Sequence, residues 1–111
     1  MMRKLQILWI TALLALASCA DSDNRPKVFL DEPQMIDVLA DAYLIEAQLN
    51  VKKSEGSDVA DLQWAYYDQL FEHYGITDTI FEQNMAYYTQ HPAVLERIMD
   101  SVSNRFVKAQ Q

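Results

Sequence analysis

The stretch Asp31-Glu32-Pro33-Gln34-Met35-Ile36-Asp37-Val38-Leu39-Ala40-Asp41-Ala42-Tyr43-Leu44-Ile45-Glu46-Ala47-Gln48-Leu49-Asn50-Val51-Lys52-Lys53 decides the architecture of this chain. Asp31 can accept a free N–H of a starting helix, and Pro33 falls in the first turn, where a missing N–H costs nothing. With residues placed about 100° apart, the helix is apolar almost all round. Only Asp37, Asp41, Gln48 and Lys52 make a polar stripe. A helix of that kind is packed on more than one side, so it is expected at the centre of a small bundle.

The punctuation after this helix is legible. The chain holds two glycines and three prolines, each at an expected boundary. Ser54-Glu55-Gly56-Ser57 is a loop, and Asp58 can cap a second helix ending at Tyr74. Gly75 suits the left-handed position that closes a helix, with Ile76 as the apolar residue that packs back. Thr77 caps a third helix, and His91-Pro92 ends it and opens a fourth. Helices are therefore expected over 33–53, 59–74, 78–90 and 92–107. No segment alternates as a strand would, so the class is all-α, a small bundle of about four helices over 31–111.

The faces of the later helices separate cleanly. In the fourth, Leu95, Ile98, Met99, Val102 and Phe106 form one stripe, with Arg97, Asp100 and Asn104 opposite. The third is expected to bury Phe81, Met85 and Tyr88, with Ile80 and Tyr87 on the flank. In the second, Val59, Leu62, Tyr66 and Leu70 centre a broad arc that has Trp64, Tyr67 and Phe71 at its far edge.

Toward the N-terminus the composition changes. Ala20 to about Leu30 lacks apolar periodicity and contains Pro26, so residues 19–30 are expected to be a flexible tether. Met1-Met2-Arg3-Lys4 and the apolar run Leu5 to Leu16 form a positive start and a core too short to cross a bilayer, which needs roughly 20 apolar residues. That is the pattern of a secretory signal peptide, 1–18. Leu16-Ala17-Ser18-Cys19 resembles the lipobox of bacterial lipoproteins, in which the cysteine thiol takes a lipid and cleavage falls just before it. Cys19 is the only cysteine, which excludes an internal disulfide framework and a cysteine metal cluster. Loss of Arg3 and Lys4 takes the formal charge from −7 to −9. So acidic a chain is a poor fit to nucleic acid or to anionic headgroups. Membrane attachment is expected through the lipid on Cys19.

The motifs Met35-Ile36-Asp37-Val38-Leu39-Ala40-Asp41-Ala42-Tyr43-Leu44-Ile45-Glu46-Ala47, Tyr74-Gly75-Ile76-Thr77 and Ala86-Tyr87-Tyr88-Thr89-Gln90-His91-Pro92, behind a lipobox, carry a resemblance. The chain resembles the small Bacteroidetes lipoproteins of domain-of-unknown-function family 4296. The resemblance implies a helical domain on an envelope anchor and brings no activity with it. One departure is Ile80, where family members often place an acid that completes a capping box after Thr77. The acids after Cys19 alternate with Ser and Asn and resemble the surface-export signals of such lipoproteins only in part. The expected location is the outer membrane facing the periplasm, with surface display as the alternative.

Candidates for chemistry are few. Asp37 and Asp41 lie four apart on one helix face, as do Asp68 and Glu72, and such pairs could hold a divalent cation if a second helix added oxygens. Both pairs fall on polar stripes, so a solvated acidic face is the preferred explanation. Glu46 projects into the apolar arc of the first helix, where a buried carboxylate would need a partner such as a Tyr, Arg97 or Arg105. His73 likewise projects into an apolar arc and reads as a core histidine; His91 reads as a helix junction. The histidines are not spaced as a metal pair, no nucleophile elbow or phosphate-binding glycine loop is present, and no cofactor is expected. An enzyme is therefore not expected. The aromatics Trp64, Tyr66, Tyr67, Phe71, Tyr74, Tyr87 and Tyr88 are many for a core this small. Trp64, Tyr67 or Tyr87 is expected to line an exposed groove for a partner protein or glycan, with another envelope protein or self-association favoured; plain core and boundary packing is the competing reading. The rival is binding of a small ligand, glycan or cation through Glu46, Asp37 and Asp41.

Overall fold

A computed structural model describes residues 24–110. The signal peptide, the lipobox residues Leu16, Ala17 and Ser18, and Cys19 lie outside the described residues. Four helices follow one another: α1 Glu32–Ser54, α2 Ala60–Tyr74, α3 Asp78–Thr89 and α4 Pro92–Ala109. Among the described residues there is no strand, and no helix is long and apolar enough to cross a membrane. The chain is the small all-α bundle that its periodicity implies.

The helix starts depend on single side chains. Asp31 Oδ1 accepts the Gln34 N–H at 2.9 Å while Gln34 Oε1 accepts the Asp31 N–H at 3.0 Å, a full capping box at the head of α1. Thr77 Oγ1 accepts the Ile80 N–H at 3.2 Å to start α3. At α2 the expectation shifts by one residue. Asp58 Oδ1 reaches the Ala60 N–H at 3.2 Å, but the helix begins at Ala60, and Val59 stands in the cap position without a side-chain bond.

The end of α2 closes on a left-handed glycine. At Gly75 (φ 65°), the Ile76 N–H donates to the Phe71 carbonyl at 2.9 Å and the Gly75 N–H to that of Glu72 at 3.1 Å. Ile76 is thereby turned back into the core, as expected from the sequence.

The central position of α1 holds: it packs against both α2 and α4, and α3 rests on α4. Met35, Val38, Leu39 and Ala42 of α1, Leu70 of α2, Tyr88 of α3, and Ile98 and Val102 of α4 form the core with Leu30 and Ile76. Full burial of a Met or Ile side chain contributes roughly 1.5–3 kcal/mol. α1 and α4 run parallel. Glu32 accepts from Arg97 Nε and Nη2, Asp37 pairs with Arg105 at 2.5 Å, and the Tyr43 and Phe106 rings lie 6.4 Å apart.

Because α4 stops at Ala109, the far half of α1 loses its second cover. Beyond the Tyr43–Phe106 contact, Leu44 and Val51 are about half exposed, so the all-round apolar pattern of α1 is packed on two sides only over its first half. The arc of α2 is also rotated from the expected one. Tyr67, Phe71 and Tyr74 pack on the core beside Leu70, whereas Leu62 and Tyr66 are only partly buried outside it.

The end of the segment read as a tether is docked rather than free. The Leu30 N–H donates to Asn84 Oδ1 at 2.8 Å, Asn84 Nδ2 donates to the Val28 carbonyl at 2.8 Å, and Tyr88 Oη donates to the Leu30 carbonyl at 2.6 Å. Phe29 lies on the Tyr87 and Tyr88 rings, with the Arg25 guanidinium 4.7 Å above it. The physical reason is that two α3 side chains satisfy the backbone of Val28–Leu30, which no local helix could.

Candidate functional site

α2 and α3 are joined by the tight Gly75-Ile76-Thr77 turn, yet each lies mainly on another helix rather than on its neighbour. They touch through the Phe71 and Phe81 rings, 5.5 Å apart. Over that contact runs an open groove of about 330 Å³, lined by Gln63, Trp64, Tyr67 and Phe71 from α2 and by Asp78, Phe81 and Glu82 from α3. Its floor is aromatic and its α3 rim is acidic. Small-ligand sites start at roughly this size, but they are usually more enclosed.

Trp64 stands at the lip and is 71% exposed, the most exposed of the large apolar side chains described. Tyr67 is half-buried, with its ring 6.0 Å from Phe71. The Tyr67 hydroxyl donates to Glu46 Oε1 at 2.5 Å. Burial, and then the bond to the Glu46 carboxylate, push the Tyr67 hydroxyl up to about 12.

The electrostatics are one-sided. Between Ser54 and Glu96 the sequence has no Lys or Arg, while Glu55, Asp58, Asp61, Asp68, Glu72, Asp78 and Glu82 are all acidic. Neither ion pair among the described residues, Arg97–Glu32 or Arg105–Asp37, involves α2 or α3. The two helices that wall the groove therefore contribute acidic side chains and no Lys or Arg.

Of the expected groove residues the structure brings Trp64 and Tyr67 together and sends Tyr87 elsewhere. Tyr87 stacks on His91 with ring centres 4.3 Å apart and meets Phe29 edge-on at 5.2 Å. His91 is the junction residue expected of it: Nδ1 donates to the Tyr87 carbonyl at 2.8 Å ahead of Pro92.

Glu46 finds a tyrosine partner as anticipated, but it is exposed rather than buried, because α4 does not reach that part of α1. His73 is exposed too, its ring edge-on to Tyr74 at 4.9 Å, since the arc of α2 is turned away from it. Asp37 is engaged by Arg105, and Asp41 accepts the Tyr74 hydroxyl. Among the described residues no three His, Cys, Asp or Glu side chains are placed to hold a metal ion.

The family model of a domain of unknown function, DUF4296, matches residues 26–111. The chain belongs to this family. No curated protein and no solved structure matches it.

The DUF4296 match begins at Pro26, just ahead of the docked Val28–Leu30, so the family unit includes the segment that Asn84 holds. Asn84 is a residue that periodicity alone does not single out. It is fully buried and its amide also donates to the Ile80 carbonyl at 2.8 Å. A signal existed: Asn84 lies four residues from both Ile80 and Tyr88, a polar group within the buried stripe of a DUF4296 helix. Asp78 and Glu82 are likewise unforeseen groove residues, because spacing along α3 says nothing about what α2 presents across from it.

Proposed function

We propose that this protein is a lipid-anchored cell-envelope protein whose DUF4296 domain is a non-enzymatic interaction module, with the α2–α3 groove as its docking surface. The observation that carries the reading is Trp64, left 71% exposed beside an aromatic floor in a domain that buries Tyr88 almost completely. An exposed Trp next to a ready cleft is the arrangement found at the energetic centre of interfaces.

The signal-peptide pattern of residues 1–18 and the lipobox before Cys19 support the anchor. A chain at −9 has no electrostatic route to anionic headgroups, so the lipid would supply the membrane affinity. Docking of Val28–Leu30 leaves residues 20–27 between Cys19 and the docked segment, a stretch that spans at most about 28 Å. The domain would then work within that distance of the bilayer. The outer membrane, periplasmic face, is the proposed location.

The test is position-specific photocrosslinking in cells. A photoreactive residue replacing Trp64 in the full anchored chain should give a discrete adduct that the same residue at Ala47, exposed on α1, does not give. The same adduct pattern from both positions, or none from either, would overturn the groove as the docking surface.

A further inference from the structure

The lining of the groove constrains its occupant, once the interaction reading of this site is taken as the basis. We infer that the α2–α3 groove docks a cationic amphipathic segment of another protein, one presenting Lys or Arg beside apolar side chains. Phe71, Phe81 and Tyr67 give the groove an aromatic lining, to which α2 adds Trp64 and α3 adds Asp78 and Glu82. A Lys or Arg lying over the exposed Trp64 ring would gain a cation–π contact, and a second cation further along the groove would meet the Asp78 and Glu82 carboxylates. Apolar side chains on the same face of the segment would cover the floor, the helix-in-groove mode of recognition.

Charge decides between occupants. No Lys or Arg occurs from Ser54 to Glu96, and the charged residues that line the groove, Asp78 and Glu82, are both acidic, so its walls would attract a cationic segment. A second copy is disfavoured, because the two chains would share the same large negative charge. Arg97 and Arg105 are moreover already held by Glu32 and Asp37. An anionic lipid surface is repelled by the same charge. A neutral glycan could stack on Trp64, but it would draw nothing from Asp78 and Glu82.

The experiment uses the full chain in detergent micelles with Trp9→Phe, which leaves Trp64 as the only tryptophan. Short amphipathic helices of Leu and Lys, and their Leu and Glu counterparts, are titrated while Trp64 emission is followed. The Leu/Lys peptide should shift the emission to the blue and bind more weakly as salt is added, and the Leu/Glu peptide should not bind. Asp78→Asn with Glu82→Gln should weaken binding about tenfold, whereas Glu55→Gln with Asp100→Asn, the same charge removed elsewhere, should change it less than about twofold. Asp78→Asn keeps the oxygen that accepts the Thr79 N–H, so the start of α3 is preserved. Trp64→Ala removes the fluorophore, so its binding is read by calorimetry, with a loss of about thirtyfold expected.

Equal weakening by the two charge pairs would reduce the effect to unspecific attraction and overturn the inference. Equal binding of the Leu/Glu peptide would overturn it as well. An emission shift with a neutral oligosaccharide and none with either peptide would assign the groove to a glycan. If crosslinking at Trp64 succeeds in cells while the Leu/Lys peptide fails, the docking surface stands and the cationic partner falls. If both fail, the interaction reading falls with it.

Discussion

Asn84 and Leu30 are locked together across 54 residues of sequence: the buried amide oxygen of one accepts the backbone N–H of the other at 2.8 Å. The same carboxamide donates to the carbonyls of Val28 and Ile80. One side chain thus closes three backbone groups and fastens the chain entering α1 to the middle of α3. A buried polar group is tolerable only when its bonds are made, and here they are. The lock also sets where the tether ends and the domain begins.

Replacing this amide should therefore uncouple the entry segment. Asn84→Ala leaves the buried Leu30 N–H without a partner and should cost about 2–3 kcal/mol in urea denaturation. Hydrogen exchange at Leu30 should accelerate far more than exchange at Ile98 in the core. Unchanged protection at Leu30 would mean that the segment is held by Phe29 packing alone.

High pH should loosen the bundle through Tyr74 and Tyr88. Tyr74 donates to the Asp37 carbonyl at 3.2 Å and to the Asp41 carboxylate, and Tyr88 donates to the Leu30 carbonyl. Both hydroxyls are pushed up to about 12, by burial first; the bond to Asp41 then adds to it at Tyr74, and the charge of Glu32 at Tyr88. A proton held more tightly in the folded state stabilises it fully below the unfolded value of about 10. That stability is lost as pH rises from about 10 toward 12. Denaturant midpoints measured across this range should fall, and the fall should be shallower in Tyr74→Phe and Tyr88→Phe.

Gly75 offers a cleaner test of backbone cost. A Cβ added there would meet nothing within 4 Å, so any penalty comes from the left-handed φ of 65° and not from crowding. Gly75→Ala should destabilise by about 1 kcal/mol, and Gly75→Asn by less, because Asn tolerates that region better. Equal losses in thermal unfolding would point to some other role for the turn.

The anchor makes its own prediction. Cys19→Ala should abolish labelling by a fatty-acid probe and leave the precursor uncleaved. A variant that still labels and sediments with membranes would remove the lipoprotein reading at its root.

Helix order, the caps at Asp31 and Thr77, the closure at Gly75 and the stripe of α4 were readable from the chain alone. Each depends on contacts within a few residues, or on a 3.6-residue period that one face of a helix must keep. The acidic run from Ser54 to Glu96 was equally open to view, although its meaning was not. What only the tertiary structure decided is how the helices lie on one another. Periodicity marks an apolar arc without saying how far a neighbour covers it, so Glu46 and His73 were expected inside and emerged exposed where α4 ends or α2 turns away. Trp64 and Tyr67 were separated from Tyr87 for the same reason, since only packing chooses which side of a helix pair remains open. Asn84 shows the limit most plainly. Its partners at Val28 and Leu30 are remote in sequence, and a long-range hydrogen bond leaves no local period to read.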